Sequence, residues 1–347
     1  MPSVTIDTCV LAAPVASSSR DDVLDYVETL LDWKKLLDEP WVAIYMSENA
    51  AEAMVEEGVY PFRNELRHLF VDKGIIEYDV NTVAILAERL LRQTPSFETY
   101  FRLRDILVSD VVTSPDLLGI HTASKLTSEL ARCVVLIAIL RTHCQHAVSD
   151  HNLIVKPWRG TTIVQVKALI HDIDCERDDL MPLPIAPELF NGDVLVCQSF
   201  RELVMNLDEN AIWHMAQDEV GLGLAAKIAV YKSRLERNVE PDWDHITGFS
   251  FGKEFLERST AASQANPPGF ITRLLRSLVE TIDGMNMPAV HALRAGQGGN
   301  APQRMRGQDK AWRRDIDYEY HLHYWECEDG RIEFASVGPH NQFDIPE

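Results

Sequence analysis

The sequence has no apolar run long enough to cross a bilayer and no strongly biased tract. Its longest apolar run, Cys133–Leu140, is closed by Arg132 and Arg141 and is far shorter than the roughly 20 residues of a transmembrane helix. The first residues show no basic region followed by an apolar core and a small-residue cleavage site, so we expect no secretion signal and no membrane partner. With 46% hydrophobic and 25% charged residues, the composition is that of a globular protein.

Closely spaced cysteine pairs are also missing. Six cysteines are scattered along the 347 residues, and no two of them form a C-x-x-C motif. Several stand within apolar runs, where a cysteine behaves as a small apolar side chain. This usage predicts reduced cysteines in a cytoplasmic protein.

Patterns of strands and helices alternate in the N-terminal part, where "VTIDTCVLA" and "WVAIYMS" read as buried strands, each followed by a helix. They predict a mostly parallel sheet covered by helices. Residues 62–147 look mainly helical, and "NLIVKPW" and "TTIVQVKALI" read as a strand pair. Near the end, two alternating strands flank the Asp329-Gly330 turn, which indicates a hairpin. We predict an α/β domain over residues 1–207 and an α+β domain over residues 208–347 that ends in an antiparallel hairpin.

Asp7 is the residue of the N-terminal half that most needs an explanation. It stands in the apolar stretch "VTIDTCVLAAP", and a buried charge is costly unless something pairs with it. A hydrogen bond to a nearby turn is the structural answer, and a metal ion or a catalytic role is the functional one. Glu48 and Glu52 follow the next strand, and the carboxyl ends of parallel strands meet at one edge of a sheet. These acids can converge there with Asp7; alternatively, Glu48 favours the helix N-terminus and Glu52 faces solvent.

The stretch "VTIDTCVLA", the helix after it and "WVAIYMSENAAEAM" together resemble the start of a PIN-like nuclease domain. The resemblance implies that Asp7 is a metal ligand, that Thr8 supports it, and that Glu52 is the second acid, with Glu48 as its substitute. It further implies that these acids hold Mg²⁺ or Mn²⁺ and that the domain cleaves RNA or another single-stranded nucleic acid.

One later strand departs from that resemblance. PIN-like domains usually carry a further acid there, but "DVLVCQSFREL" has Gln198 and Ser199 at the expected place. Asp178 or Asp179 can supply the missing acid. The incomplete set favours an alternative, in which the fold is a degenerate nuclease that binds a protein or nucleic-acid partner without cutting it.

The chain as a whole has no surplus of positive charge, but one segment near its C-terminal end does. The net charge is −20, whereas the segment 294–317 contains six Lys or Arg residues and three Asp residues. Nucleic acid is repelled by most of the chain and can dock only where cations outnumber acids. Glycines and aromatic residues near these cations suit close backbone approach and base stacking; the alternative is a hairpin packed on the core with its cations paired. The predicted contact residues are Arg294, Arg304, Arg306, Arg313, Arg314, His321, His323 and His340.

The same end is similar to the RelE-type ribonuclease toxins in its basic strand, in "EYHLHYW", and in "IEFASVGPHN" with a histidine after the last strand. The similarity implies that Arg313, Arg314, His323 and His340 bind phosphate or move protons in a metal-free cleavage of RNA. Strand alternation lets His321 share a face with His323. The sequence therefore leaves three hypotheses open: a metal-dependent nuclease, a non-catalytic binding protein, and metal-free cleavage by the C-terminal domain.

Overall fold

The computed structural model of the chain describes residues 2–37, 39–143, 151–177, 186–266, 268–296 and 301–346. The chain forms two compact units, Met1–Asn206 and Leu207–Glu347. Each unit combines helices with a six-stranded sheet over the described residues, which confirms the α/β character predicted from the sequence.

The first unit consists of a mixed sheet and the helices that cover it. Its strands are β1 (Ser3–Ile6), β2 (Ala43–Met46), β3 (Leu103–Ser114), β4 (Asn152–Ile154), β5 (Ile163–Cys175) and β6 (Glu188–Cys197). Its helices are α1 (Thr8–Leu11), α2 (Arg20–Leu37), α3 (Ala50–Glu56), α4 (Arg63–Lys73), α5 (Val80–Gln93), α6 (Phe97–Phe101), α7 (Ser124–His143) and α8 (Phe200–Asn206).

The first sheet has the strand order β2-β1-β4-β6-β5-β3. Strand β1 pairs in parallel with β2 and with β4, so that Ile6 lies opposite Met46 on one side and Ile154 on the other. Strands β4 and β6 are also parallel, whereas β5 is antiparallel to both of its neighbours. Because β1 and β2 run in register, Asp7 and Ser47 both follow the end of a strand at the same edge.

Helix α7 is the centre of the first unit and contains the longest apolar run of the sequence. Residues 133–140 are all buried, and the helix packs against β3, β5 and β6. Because the sheet and other helices surround this run, all of its faces can be apolar. None of the helices in the described part of the chain has the length and apolar character needed to span a bilayer.

Two local predictions are wrong. Residues 103–114, expected within a mainly helical region, form β3, because "LRDILVSDVVTS" is rich in Ile, Val and Leu and pairs with β5 over most of its length. The strands of "NLIVKPW" and "TTIVQVKALI" do not pair with each other: β4 lies between β1 and β6, and β5 lies between β6 and β3. Strand β4 is buried throughout, which suits a position inside a sheet.

The second unit combines helices with a mainly antiparallel sheet. Its helices are α9 (Glu209–Met215), α10 (Glu219–Glu236), α11 (Phe255–Ala265) and α12 (Phe270–Ile282). Its strands are β7 (Phe249–Phe251), β8 (Val290–Ala292), β9 (Met305–Arg306), β10 (Asp309–Asp315), β11 (Tyr320–Glu326) and β12 (Ile332–Pro339). The predicted hairpin is β11–β12, and its turn needs Gly330, whose φ of +81° suits a residue without a Cβ.

Candidate functional site

The first candidate site lies where the parallel strands β1 and β2 end. Asp7 follows β1 directly, and its backbone N–H donates to the Ile154 carbonyl oxygen at 2.9 Å. Its side chain is only 2% exposed, and Asp7 also precedes the first turn of α1. Strand pairing thus fixes the Asp7 backbone, while burial removes its carboxylate from bulk water.

Asp7 shares this place with a histidine and a cysteine. Its Oδ2 atom lies 3.0 Å from Nε2 of His121, and Cys9 in α1 completes a group whose ligand atoms all lie within 4.8 Å of one another. Across the described residues, no other cluster of three His, Cys, Asp or Glu side chains is as compact. Burial opposes protonation of His121, but its hydrogen bonds with Asp7 and Cys9 outweigh burial and raise the pKa of His121 to about 10.

A second group of buried acids lies beyond β2. Glu98 in α6 is fully buried, and Glu129 in α7 is buried as well. The Ser47 hydroxyl lies between them, 3.1 Å from Oε1 of Glu98 and in hydrogen-bond contact with Glu129. The Glu48 backbone N–H and the Ser96 hydroxyl both donate to Oε2 of Glu98 at 3.0 Å. These donors hold the Glu98 carboxylate in one orientation.

Arg132, one turn after Glu129 on α7, is the cation of this second group. Its guanidinium forms ion pairs with Glu98 and, at 3.3 Å, with Glu129. Its Nη1 atom is buried and has no hydrogen-bond partner. Because an unpaired buried N–H is costly, Nη1 is a donor that a ligand oxygen can satisfy.

The two groups share one electrostatic environment, and Cys133 shows this. Burial raises the pKa of the Cys133 thiol well above its usual value, and the charges of Glu129 and Glu98 raise it further. The charge of Asp7 acts in the same direction. The charges of Asp7, Glu98 and Glu129 thus all act on Cys133, although these acids come from separate parts of the chain.

Glu52, the predicted partner of Asp7, lies elsewhere. It is exposed on α3 and is not a member of the group around Asp7. The helix buries Ala50, Ala53 and Met54, and this spacing leaves Glu52 on the solvent side. The structure therefore corrects the pairing of Asp7 with Glu52, and it brings Asp7 together with Cys9 and His121 instead.

The other predicted residues at this edge have different surroundings. Glu48 is exposed, and the partial loss of its hydration, followed by the charge of Glu98, raises its pKa. Thr8 is buried, and its hydroxyl has no hydrogen-bond partner. Asp178 and Asp179 lie outside the described residues.

Sequence reasoning missed Cys9, His121, Glu98 and Glu129 as site residues. A local signal existed for Glu129, because it stands three residues before Arg132 at the start of the longest apolar run, and opposite charges at that helical spacing are neighbours. Nothing comparable marks the other three. These residues come together only through the path of the folded chain, which returns to this edge of the sheet after α6 and before α7.

In the second unit, two of the arginines predicted to contact nucleic acid, Arg306 and Arg314, form ion pairs with glutamates. Arg314 is buried, forms an ion pair with Glu280 at 2.9 Å and donates to the Met285 carbonyl at 2.6 Å. Arg306 forms an ion pair with Glu333 at 2.8 Å. The structure therefore corrects the prediction that Arg314 docks phosphate, because its guanidinium is used inside the unit, after the end of α12.

Other predicted cations are more accessible. Arg294 is exposed and donates to the Ala301 carbonyl at 2.8 Å. Arg304 and Arg313 have no carboxylate partner among the described residues, and each has a buried Nε atom without a hydrogen bond. Arg313 lies opposite His323 in the β10–β11 ladder. These three arginines remain candidates for phosphate contacts.

The predicted histidines lie mostly inside the second unit. His321 and His323 are buried, with His321 Nε2 at 2.9 Å from Asp315 and His323 Nδ1 at 3.1 Å from Ser336. Burial lowers the pKa of His321 to about 4 and that of His323 to about 3. Their remaining ring nitrogens are buried and unpaired. His340 is exposed, and its ring centroid lies 4.5 Å from that of His321. Because His321 and His323 are buried, the structure corrects the expectation that all three histidines contact nucleic acid at the surface.

Comparison of the chain with known proteins gives no matching family model, no matching curated protein and no matching solved structure. The candidate sites are therefore interpreted from their own geometry. Their main features are a buried carboxylate at a strand end with a histidine and a cysteine beside it, two buried glutamates on helices, and guanidinium atoms without a hydrogen-bond partner.

Proposed function

We propose that the first unit is a metal-dependent nuclease that acts on RNA. The observation that carries this proposal is the buried carboxylate of Asp7 at the end of β1, beside the metal-ligand types Cys9 and His121, in a unit that also buries Glu98 and Glu129. Active sites of α/β proteins form beyond the carboxyl ends of parallel strands. A buried carboxylate favours a cationic ligand, because a negative charge is costly to bury alone.

The residues of the site have separate roles in this proposal. A divalent cation at Asp7 would lower the pKa of a bound water and offset the charge that develops on a phosphodiester. Arg132 would donate to a phosphate oxygen through Nη1, which has no partner in the protein. Glu98 and Glu129 would position Arg132, and Ser47 would hold the two glutamates in place.

The resemblance to PIN-like domains favours Mg²⁺ or Mn²⁺, and the donor atoms test this choice. Mg²⁺ takes oxygen ligands, and Asp7 provides such an oxygen. The side chains that lie closest to Asp7 are His121 and Cys9, which offer nitrogen and sulfur, and Glu52 provides no oxygen to this group. The atoms around Asp7 thus suit Mg²⁺ poorly.

RNA is proposed as the substrate because the C-terminal end resembles ribonucleases and carries cations suited to phosphate. Arg304, Arg313 and the exposed Lys310 have no carboxylate partner among the described residues. In a chain of net charge −20, such local cations are where a polyanion can dock.

The products of RNA cleavage test this proposal. Full-length protein is incubated with a single-stranded RNA, with divalent metal ions or with EDTA, and the ends of the fragments are analysed. Attack of an activated water on phosphorus with cleavage of the P–O3′ bond would leave the water oxygen on a 5′-phosphate and release the other end as a 3′-hydroxyl. We expect these ends, and we expect EDTA to abolish cleavage. Cleavage that continues in EDTA contradicts the proposal.

A second candidate function is metal-free RNA cleavage by the second unit. It is favoured by Arg313, which has no carboxylate partner among the described residues, and by the exposed His340 after the last strand. Attack by the ribose 2′-hydroxyl would leave 2′,3′-cyclic phosphate ends and would not need a metal ion. The same analysis of fragment ends therefore distinguishes the two functions.

A non-catalytic binding protein is the third possibility, and the pairing of Arg132 favours it. Arg132 already compensates the charges of Glu98 and Glu129, so these two acids do not need a metal ion. RNA binding, or capture of a protein partner, without any cleavage would support this function in place of the first.

A further inference from the structure

We propose that Asp7, Cys9 and His121 form a binding site for Zn²⁺. The inference deepens the proposed function by naming the cation, and it rests on that proposal only for what the cation does to RNA. Zinc binding itself is a separate property of these three side chains. It can therefore be present or absent whether or not the protein cleaves RNA.

The donor set is the first reason. Zinc is bound in proteins by cysteine sulfur, histidine nitrogen and carboxylate oxygen, whereas Mg²⁺ and Ca²⁺ take oxygen. Asp7, Cys9 and His121 supply one atom of each zinc-binding kind. Sites at which zinc is catalytic usually have three protein ligands and leave a fourth position for water or substrate. Three ligands of this kind thus match an open zinc site.

The spacing of the donor atoms is the second reason. Zinc–ligand bonds of about 2.0–2.3 Å at tetrahedral angles place neighbouring ligand atoms roughly 3.3–3.6 Å apart. In the structure, Asp7 Oδ2 and His121 Nε2 are 3.0 Å apart, and all three ligand atoms lie within 4.8 Å of one another. Side-chain movements of about 1 Å would therefore be enough to surround a zinc ion.

The surroundings of these ligands are the third reason. Asp7 is held by its hydrogen bond to Ile154, and the side chains of Asp7 and His121 are each 2% exposed. Cys9 is buried in α1 and is not in a disulfide. Between Asp7 and Cys9 stands Thr8, whose buried hydroxyl has no partner. A buried site with an unsatisfied hydroxyl suits a bound cation and its ligand water.

Zinc content and zinc affinity of the full-length protein test the inference. The protein is dialysed against zinc, its metal content is measured, and its affinity is determined by competition with a chromogenic chelator in excess Mg²⁺. Cys9→Ser and His121→Gln are compared with the matched controls Cys175→Ser and His68→Gln, of which the first is a half-buried thiol and the second an exposed ring. Circular dichroism checks that each variant is folded.

We expect about one zinc ion per chain, retained against Mg²⁺. Loss of a residue that merely orients a ligand costs about 10–100-fold in affinity, so the loss of Cys9 or His121 should cost at least as much. The control variants should bind as the parent does. With Co²⁺ in place of zinc, the parent should show a thiolate-to-cobalt charge-transfer band that Cys9→Ser lacks.

The outcomes separate this inference from the proposed nuclease. Zinc bound through Cys9 and His121 without RNA cleavage supports the site and contradicts the nuclease. Cleavage supported by Mg²⁺ in a protein that does not bind zinc overturns the site and leaves the nuclease standing. Equal zinc affinity in the parent and in folded Cys9→Ser and His121→Gln variants also overturns it.

Discussion

At the scale of single residues, Arg132 compensates the charges of two buried acids in the first unit. Glu98 is fully buried, and both Glu98 and Glu129 pair with this guanidinium. Removing one partner of a buried ion pair costs about 3–5 kcal/mol, because the remaining charge stays uncompensated. We predict that Arg132→Met lowers the free energy of unfolding by about this amount in urea titrations followed by circular dichroism.

The control for that prediction is Arg92→Met, which removes an exposed ion pair with Glu88. Exposed pairs contribute roughly 0–1 kcal/mol, so this variant should unfold almost as the parent does. The double variant Arg132→Met/Glu98→Gln removes one of the stranded charges and should recover part of the loss. Equal stability of Arg132→Met and Arg92→Met would refute the account of the buried acids.

His151 links the stability of the first unit to pH. It is buried between Ser3 and Thr5, and burial lowers the pKa of His151 to about 3, from 6.5. Between these two pH values the unfolded chain binds a proton that the folded chain does not, so stability decreases as the pH falls. The contribution is about 1.4 kcal/mol per pH unit.

We predict that His151→Gln flattens the dependence of unfolding free energy on pH between pH 4.5 and 6 by about this slope. The exposed His68→Gln variant should keep the slope of the parent. Denaturant titrations at several pH values measure both, and an unchanged slope in His151→Gln would show that His151 does not stay neutral in the fold.

At the scale of elements, two adjacent arginines of β10 have opposite roles. Arg314 pairs with Glu280 and donates to the carbonyls of Met285 and Asn286 after the end of α12, as cations at helix C-termini do. Arg313 has no carboxylate partner among the described residues. We predict that Arg314→Gln destabilises the second unit by about 3 kcal/mol, whereas Arg313→Gln changes stability by less than about 0.5 kcal/mol.

Hydrogen–deuterium exchange of the β10–β12 peptides measures this difference locally. Exchange in Arg314→Gln should be faster, whereas Arg313→Gln should exchange as the parent does. The opposite order would mean that the free and the buried arginine have been assigned the wrong way round.

Local patterns predicted several elements and failed for others, for physical reasons. The β11–β12 hairpin follows from alternation and from the Asp329-Gly330 turn, both of which are local. The apolar residues of α12 likewise recur at a helical spacing along the sequence. Strand β3 was missed because its neighbours in sequence are helices, and its partner β5 comes about 50 residues later. The pairing of β4 also depends on distant strands.

At the scale of the whole molecule, charge restricts where RNA can dock. Arg304 and Arg313 are cations without carboxylate partners among the described residues of a chain that carries −20 overall. We predict that the double variant Arg304→Gln/Arg313→Gln weakens the binding of single-stranded RNA. It should also reduce the salt dependence of log K by about 0.7 for each lost phosphate contact.

The control is Lys34→Gln/Lys253→Gln, which removes two exposed cations outside the predicted surface. Fluorescence anisotropy at several salt concentrations should show the parent's affinity and slope for this control. If both double variants behave alike, binding reflects total charge and not a surface that contains Arg304 and Arg313.

The sequence predicted a site residue only where a charged side chain stood within an otherwise apolar segment. Asp7 was visible because a carboxylate in an apolar strand needs a partner. Its actual neighbours, Cys9 and His121, were not predicted, since His121 comes 114 residues after Asp7 and no short motif connects the two. Glu52 had the expected spacing, but the apolar residues of α3 turn it to solvent.

The most direct test of the central claim, that Asp7 is the metal-binding acid of a nuclease, is the rate of RNA cleavage by three full-length proteins. The parent, Asp7→Asn and Glu52→Gln are compared on one labelled single-stranded RNA with saturating divalent metal ion. We predict that Asp7→Asn loses cleavage, because it keeps its shape but not its charge, and that Glu52→Gln cleaves as the parent does. Undiminished cleavage by folded Asp7→Asn would contradict the account.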